Sequence, residues 1–121
     1  MKENFQYIPH LILFIIAIIY IKDKFFDHTD YNSMLQNGGL IIDVRSKLEF
    51  SSGNIVNSIN IPLNEIASSI QKIPNKDQQI ITCCASGMRS ASAKAILISK
   101  GYTNVTNGGG WISLERKINK K

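Results

Sequence analysis

The stretch Ile80-Ile81-Thr82-Cys83-Cys84-Ala85-Ser86-Gly87-Met88-Arg89, running on through Ser90-Ala91-Ser92-Ala93-Lys94-Ala95, constrains the chain more than any other. A β-branched apolar run favours a strand, and an alanine-rich segment favours a helix. Between them lies a short loop that begins at a cysteine and holds one glycine. Strand, loop and helix in that order leave the loop amides and the helix N-terminus facing Cys84. Such a concavity attracts anions, because unpaired N–H groups and the positive end of the helix dipole converge there. The same field favours thiolate over thiol, so Cys84 is expected to be a nucleophile. A Cys84 side chain buried inside the sheet would sink both that reading and the expected fold. Cys83, one residue earlier on the strand, is expected to pack as a small core residue.

The remaining chain reads as scaffold around this loop. Residues 27–36 pass from a linker into a short helix whose apolar face is Tyr31, Met34 and Leu35, with Asp30 as its expected N-cap; Asn37-Gly38-Gly39 ends it. Leu40 to Val44 is an apolar run closing on Asp43, as in a buried parallel strand. Ser46 is placed to cap one helical turn through Phe50. A second strand is expected over Ser58–Ile61. A helix from Glu65 to Ile70 should follow, capped by Asn64, with Ile66 and Ile70 inward. After a turn at Pro74–Asp77, the third strand covers Gln79–Cys83. The helix from about Met88 to Ser99 is expected to bury Ala91, Ala95 and Ile98 and to end at Gly101. Val105–Asn107 forms a last strand, ended by three glycines. Trp111 to Ile118 makes a closing helix with Trp111, Leu114 and Ile118 inward. Strands alternating with helices over short connections predict an α/β domain with a mainly parallel sheet of four or five strands flanked by helices.

Before this domain, Leu11 to Ile21 is apolar all round, without a polar stripe. A helix from Phe5 to Ile21 would be about 26 Å long, near the roughly 30 Å of a bilayer's hydrocarbon core. Tyr7 and Tyr20 would suit its interfaces, and no small-residue cleavage site follows Ile21. Residues 1–26 are therefore expected to be a single transmembrane anchor, with the membrane as a partner, and residues 27–121 the globular domain. The Lys and Arg balance across the anchor leans by one charge toward a cytoplasmic catalytic domain.

Two adjacent cysteines cannot staple a fold, and with His10 and His28 they lack zinc-site spacing, so no structural metal is expected. The net charge of +5 is too small and dispersed to predict a nucleic-acid partner. It does suit a small anionic substrate.

Four segments together resemble the single-domain sulfurtransferases of the rhodanese family. They are Leu40-Ile41-Ile42-Asp43-Val44-Arg45, then Glu49 with Gly53-Asn54-Ile55 leading to Ser58-Ile59-Asn60-Ile61-Pro62, the loop Cys84 to Ser90, and Gly101-Tyr102 with Asn107-Gly108-Gly109 and Trp111. The resemblance spans about Asp30 to Leu114. One departure is Asn54, where the family often has histidine; it reads as a polar substitute in a structural hydrogen bond.

The resemblance implies a rhodanese-like fold and a persulfide mechanism. Cys84 would take the sulfane sulfur of a donor such as thiosulfate and pass it to cyanide, a thiol or a protein acceptor, with no cofactor. The loop Ala85, Ser86, Gly87, Met88 and Arg89 would hold the donor, Arg45 would help to bind it, and Asp43 and Glu49 would support the loop. Arg45 and Glu49, four residues apart, could pair. Two rival functions remain: a rhodanese-like binding module without catalysis, and a phosphatase or arsenate-reductase type of enzyme. The latter uses a loop one residue longer than the Cys-x4-Arg of Cys84 to Arg89.

Overall fold

The computed structural model describes residues 8–25 and 29–119. The chain divides into two compact units, Met1–Asp30 and Tyr31–Lys121. The expected domain boundary between residues 26 and 27 lies outside the described residues.

In the first unit one helix, α1 (Ile8–Phe25), is described. Among the described residues no helix is long and apolar enough to cross a membrane, which overturns the expected anchor and its membrane partner. The reason is charge and length. Helix α1 has 18 residues, and its last turns carry Lys22, Asp23 and Lys24. The uncharged apolar stretch from Leu11 to Ile21 is only about 16 Å of helix, well short of a hydrocarbon core of about 30 Å. Residues 5–7 and Phe26, counted toward the anchor or its extension, lie outside the described residues. The expected cytoplasmic placement rested on charges flanking that span and falls with it.

The second unit is a four-stranded parallel sheet in the order β2-β1-β3-β4, with β1 (Leu40–Asp43), β2 (Ile59–Asn60), β3 (Ile80–Cys84) and β4 (Val105–Gly110). Helices α2 (Tyr31–Gln36), α3 (Lys47–Ser51), α4 (Met88–Ser99) and α5 (Trp111–Asn119) complete it. Alternation along β3 divides the core in two. Ile80 and Cys84 face a cluster with Ile42, Val44, Ile61, Ala93, Leu97 and Tyr102, which α4 covers. Ile81 and Cys83 face the opposite cluster with Tyr31, Ile41, Ile55 and Leu114, which α2 and α5 cover.

Three expectations about these elements change. No α-helix covers Glu65–Ile70; two 3-10 turns, Leu63–Glu65 and Ile70–Lys72, take its place. The Ser68 hydroxyl donates to the Glu65 carbonyl, competing locally with a helical ladder. Ile66 is still buried. Helix α4 buries Ser90, Ala93 and Leu97, whereas Ala91, Ala95 and Ile98 are exposed. Apart from Arg89 and Lys94 the helix is small or apolar on every side, so no single stripe marks its inner face; the face that turns inward is the one on which Ser90 meets Cys84. Finally, β4 continues through Gly108-Gly109-Gly110 instead of ending there. A Cβ at Gly108 would lie 2.8 Å from Ile81 Cγ2 and 2.9 Å from Leu114 Cδ2, so any larger residue there would force β3, β4 or α5 to shift.

Candidate functional site

In parallel α/β sheets, loops at the carboxyl ends of the strands meet on one edge. Here that edge gathers Asp43 at the end of β1, Cys84 at the end of β3 and the loop that enters α4. Gly87, with φ of +105°, turns the chain back so that its own N–H points at the sulfur. Cys84 Sγ accepts hydrogen bonds from the amide of Gly87 at 2.9 Å and that of Ser90 at 3.4 Å. The thiol also lies 3.5 Å from Ser90 Oγ.

Burial pushes the Cys84 thiol toward its neutral form. The Ser90 hydroxyl and the amides of Ser90, Gly87 and Ser86 outweigh it, so its pKa falls below the ordinary thiol value. Cys83 is the opposite case. Burial, with the charge of Asp43 adding to it, pushes its thiol far up, and no loop amide offsets this. Adjacent cysteines thus sit on opposite faces of one strand, with their thiol pKa values pushed in opposite directions.

Cys84 is also 0% exposed. That is more burial than a sulfur standing open at the mouth of a loop would have. The side chain joins the core cluster on the α4 face while its sulfur meets the loop amides. Ala85, Ser86 and Met88 lie exposed above it, and Met88 is 80% exposed.

Arg89 leaves the first turn of α4 toward α3. Its Nη1 and Nη2 donate to Glu49 Oε1 and Oε2 at 2.7 and 2.9 Å. The Arg89 hydrogen bonds, then the Ser46 amide, hold the Glu49 carboxyl at about 2. Glu49 is fixed in turn by a capping box with Ser46.

Arg45 does not join the loop. It is buried, with Nε and Nη2 on the Asp43 carboxylate at 2.7–3.0 Å, Nη2 also on the Gly53 carbonyl, and Nη1 on the Glu49 carbonyl. Its guanidinium stacks over Trp111 at 4.7 Å. The pairing of Arg45 with the Glu49 carboxylate is absent because that carboxylate serves Arg89. Asn54 Nδ2 donates to the Phe50 carbonyl at 2.8 Å, a structural hydrogen bond as its place in the sequence implies.

Two residues at the sulfur were given no role by sequence reasoning, although both stand in the segments that carry the resemblance. Ser90 lies beneath Cys84, and Asn107 of β4 holds Ser90 through Oδ1 at 2.6 Å. Spacing alone gives no sign of the second contact, since seventeen residues separate the two.

Fold and loop together define a rhodanese-like α/β domain. The chain belongs to the rhodanese-like domain family, which matches residues 27–113, and at that level it is a rhodanese-type sulfurtransferase. It is similar to the thiosulfate sulfurtransferase PspE of Escherichia coli K12, at 39% identity over 70 residues, covering 57% of this chain and 67% of that protein. A sulfurtransferase of Allochromatium vinosum is 36% identical over 73 residues, covering 60% and 67%. Among solved structures, a rhodanese with anions from E. coli superposes with a TM-score of 0.60 at 34% identity, covering 62% of this chain and 89% of that one.

Proposed function

We propose that the protein moves sulfane sulfur from a small anionic donor such as thiosulfate to a thiol, a protein acceptor or cyanide through a persulfide on Cys84. The observation that carries this reading is the pair of loop amides, Gly87 and Ser90, directed at Cys84 Sγ. They favour the anion both before and after sulfur is taken up.

The Cys84 thiolate attacks the outer sulfur of thiosulfate. A Cys84–sulfur bond forms as the donor's sulfur–sulfur bond breaks, and sulfite leaves with the electron pair. The product is a Cys84 persulfide anion, so charge is conserved. An acceptor thiolate then attacks the outer sulfur and leaves as a persulfide, while the Cys84 thiolate is regenerated. Neither half needs a cofactor.

Arg89, 39% exposed at its side chain and anchored by Glu49, is the cation best placed to attract the donor's oxyanions. The amides of Gly87 and Ser90, with that of Ser86, form the cradle at the sulfur, and Ala85, Ser86, Gly87, Met88 and Arg89 line the loop that would hold the donor. Asp43 and Arg45 form a buried ion pair at and just beyond the end of β1, beside the strand that carries Cys84. Because the sulfur is covered, transfer requires the exposed residues Ala85, Ser86 and Met88 to shift.

Intact-mass analysis after incubation with thiosulfate tests the reading. One added sulfur, removable by a thiol reductant and located on Cys84, supports it. A protein that gains no sulfur, or gains it elsewhere, sinks it.

A further inference from the structure

The Ser90 hydroxyl has one proton and three neighbours that can take it: Asn107 Oδ1 at 2.6 Å, the Gly87 carbonyl at 3.0 Å and Cys84 Sγ at 3.5 Å. The orientation of the Asn107 amide is fixed by its own partners. Its Oδ1 accepts from the Gly109 amide at 2.9 Å, and its Nδ2 donates to the Gly87 carbonyl at 3.3 Å. An amide oxygen carries no proton, so in the short contact Ser90 is the donor. That leaves the lone pairs of Ser90 Oγ for the Cys84 thiol, which donates to them. The chain of donors therefore runs from Sγ to Oγ to Oδ1. Such an order suits the thiol. A thiolate has nothing to donate and needs Ser90 to turn its proton toward the sulfur.

Everything around this hydroxyl is built to hold it in place. Ser90 and Thr82 are both fully buried, and Thr82 Oγ1 donates to the Ser90 carbonyl at 2.9 Å. Thr82 and Asn107 are register partners across β3 and β4. Just beyond them the register shifts, so that Cys84 pairs with Gly110. Asn107 is thus the last residue of β4 in regular register before the strand bends past the loop.

We infer that Ser90 is a two-position hydrogen bond under Cys84, accepting from the thiol and donating to the thiolate or persulfide, and that Asn107 is the positioning residue that holds it in the first position. Asn107 thereby keeps the resting sulfur from being a permanent thiolate, while its Nδ2 steadies the Gly87 turn. The inference deepens the proposed function and rests on Cys84 as the reacting sulfur. The charged or titratable groups near the two cysteines are Arg89 of α4 with Glu49 of α3, Cys83 beside it on β3, and Asp43 with Arg45 at the end of β1. Strand β4 supplies none. Apart from Cys83, these groups are the same in every variant compared below.

The test is a double-mutant cycle read by the ultraviolet absorbance of the thiolate as pH is raised. A Cys83→Ala background leaves one thiol in the chain. Ser90→Ala should raise the titration midpoint by about one unit, a tenfold loss of thiolate at a fixed pH. Asn107→Ala should act differently depending on Ser90. With the serine present it should shift the balance roughly threefold further toward thiolate than it does alongside Ser90→Ala.

Asn107→Ser, which still offers an acceptor to the Gly109 amide, gives the same comparison if Asn107→Ala does not fold. Equal Asn107 effects in the two backgrounds, or a midpoint indifferent to Ser90→Ala, overturn the inference. Because the titration needs no sulfur donor, its outcome is independent of the mass measurement that tests sulfur transfer.

Discussion

Arg89 and Glu49, forty residues apart, form a two-pronged ion pair that ties the start of α4 to α3, with both nitrogen–oxygen distances under 3 Å. The planar fork of a guanidinium matches a carboxylate in this way and lysine does not. The pair sets where the one exposed cation of the loop stands.

Arg89→Ala should keep the nucleophile but weaken capture of a doubly charged donor. Losing a hydrogen bond to a charged group costs about 1.5–3 kcal/mol, so kcat/KM for thiosulfate should fall roughly tenfold to a hundredfold. Added salt should slow the wild type more than this variant. Steady-state kinetics at two ionic strengths decides it, and an unchanged kcat/KM would leave Arg89 a purely structural partner of Glu49.

The same pair makes a prediction about acid. The Glu49 carboxyl is depressed from 4.5 to about 2, so its charged form is favoured by folding. Its contribution to stability is present above 4.5 and is lost as pH falls from there through about 2. Denaturation midpoints of wild type and Glu49→Gln should therefore differ by a constant amount at neutral pH and converge across that acid window. Convergence that is already complete at pH 4.5 would contradict the pairing.

The sheet and its reactive edge were legible because they depend on short-range patterns. Leu40–Asp43 and Ile80–Cys84 are apolar runs bounded by glycine or turn residues, and a loop opening on Cys84 before an alanine-rich segment has few other solutions. What depends on tertiary partners was not legible. Arg45 and Glu49 had helical spacing, but buried Asp43 claims the first and Arg89 the second. The inner face of α4 is the one on which Ser90 meets Cys84, which no periodicity of alanines reveals. The run of glycines after Asn107 reads as a breaker until the packing of Ile81 and Leu114 against Gly108 shows how little room a larger residue would have there. In the first helix the apolar run is plain in the sequence, but Lys22, Asp23 and Lys24 in its last turns leave too short an apolar length to cross a membrane.

Gly108→Ala tests that packing. Its new methyl would meet Ile81, Leu114 and the Thr82 carbonyl at 2.8–3.0 Å. Overpacking of this kind costs about 1–3 kcal/mol. Chemical denaturation should show a lower midpoint with an unchanged slope; equal stability would mean that β4 can shift away from α5.

The two cysteines should separate cleanly. Cys84→Ser removes the only acceptor of sulfane sulfur in the proposed mechanism, since a hydroxyl remains protonated in the same field. Persulfide formation should vanish. Cys83→Ala replaces a fully buried side chain that faces Ile41, Ile81 and Leu114 on the far side of the sheet, and persulfide yield should persist with a modest loss of stability. Mass spectra of the two variants after thiosulfate treatment give the answer. A labile sulfur on Cys84→Ser would reassign the nucleophile.

Gly87 joins backbone geometry to sulfur chemistry most directly. Its φ of +105° lies in the left-handed region, and a Cβ there would stand 3.3 Å from Gly109 Cα. Alanine would be strained by about 1–2 kcal/mol if the turn were kept. Relieving that strain means rotating the turn, which withdraws the Gly87 amide now 2.9 Å from Cys84 Sγ. The depressed pKa of Cys84 depends in part on that amide, so Gly87→Ala should move the thiol back up toward its ordinary value. At neutral pH the thiolate fraction, and with it the rate of persulfide formation, should fall about tenfold for each unit of that rise. Raising the pH should restore the rate toward that of the wild type, because the nucleophile itself is intact. A rate deficit that persists unchanged at high pH would mean that the Gly87 amide acts on the transition state of sulfur transfer and not on the ionisation of Cys84.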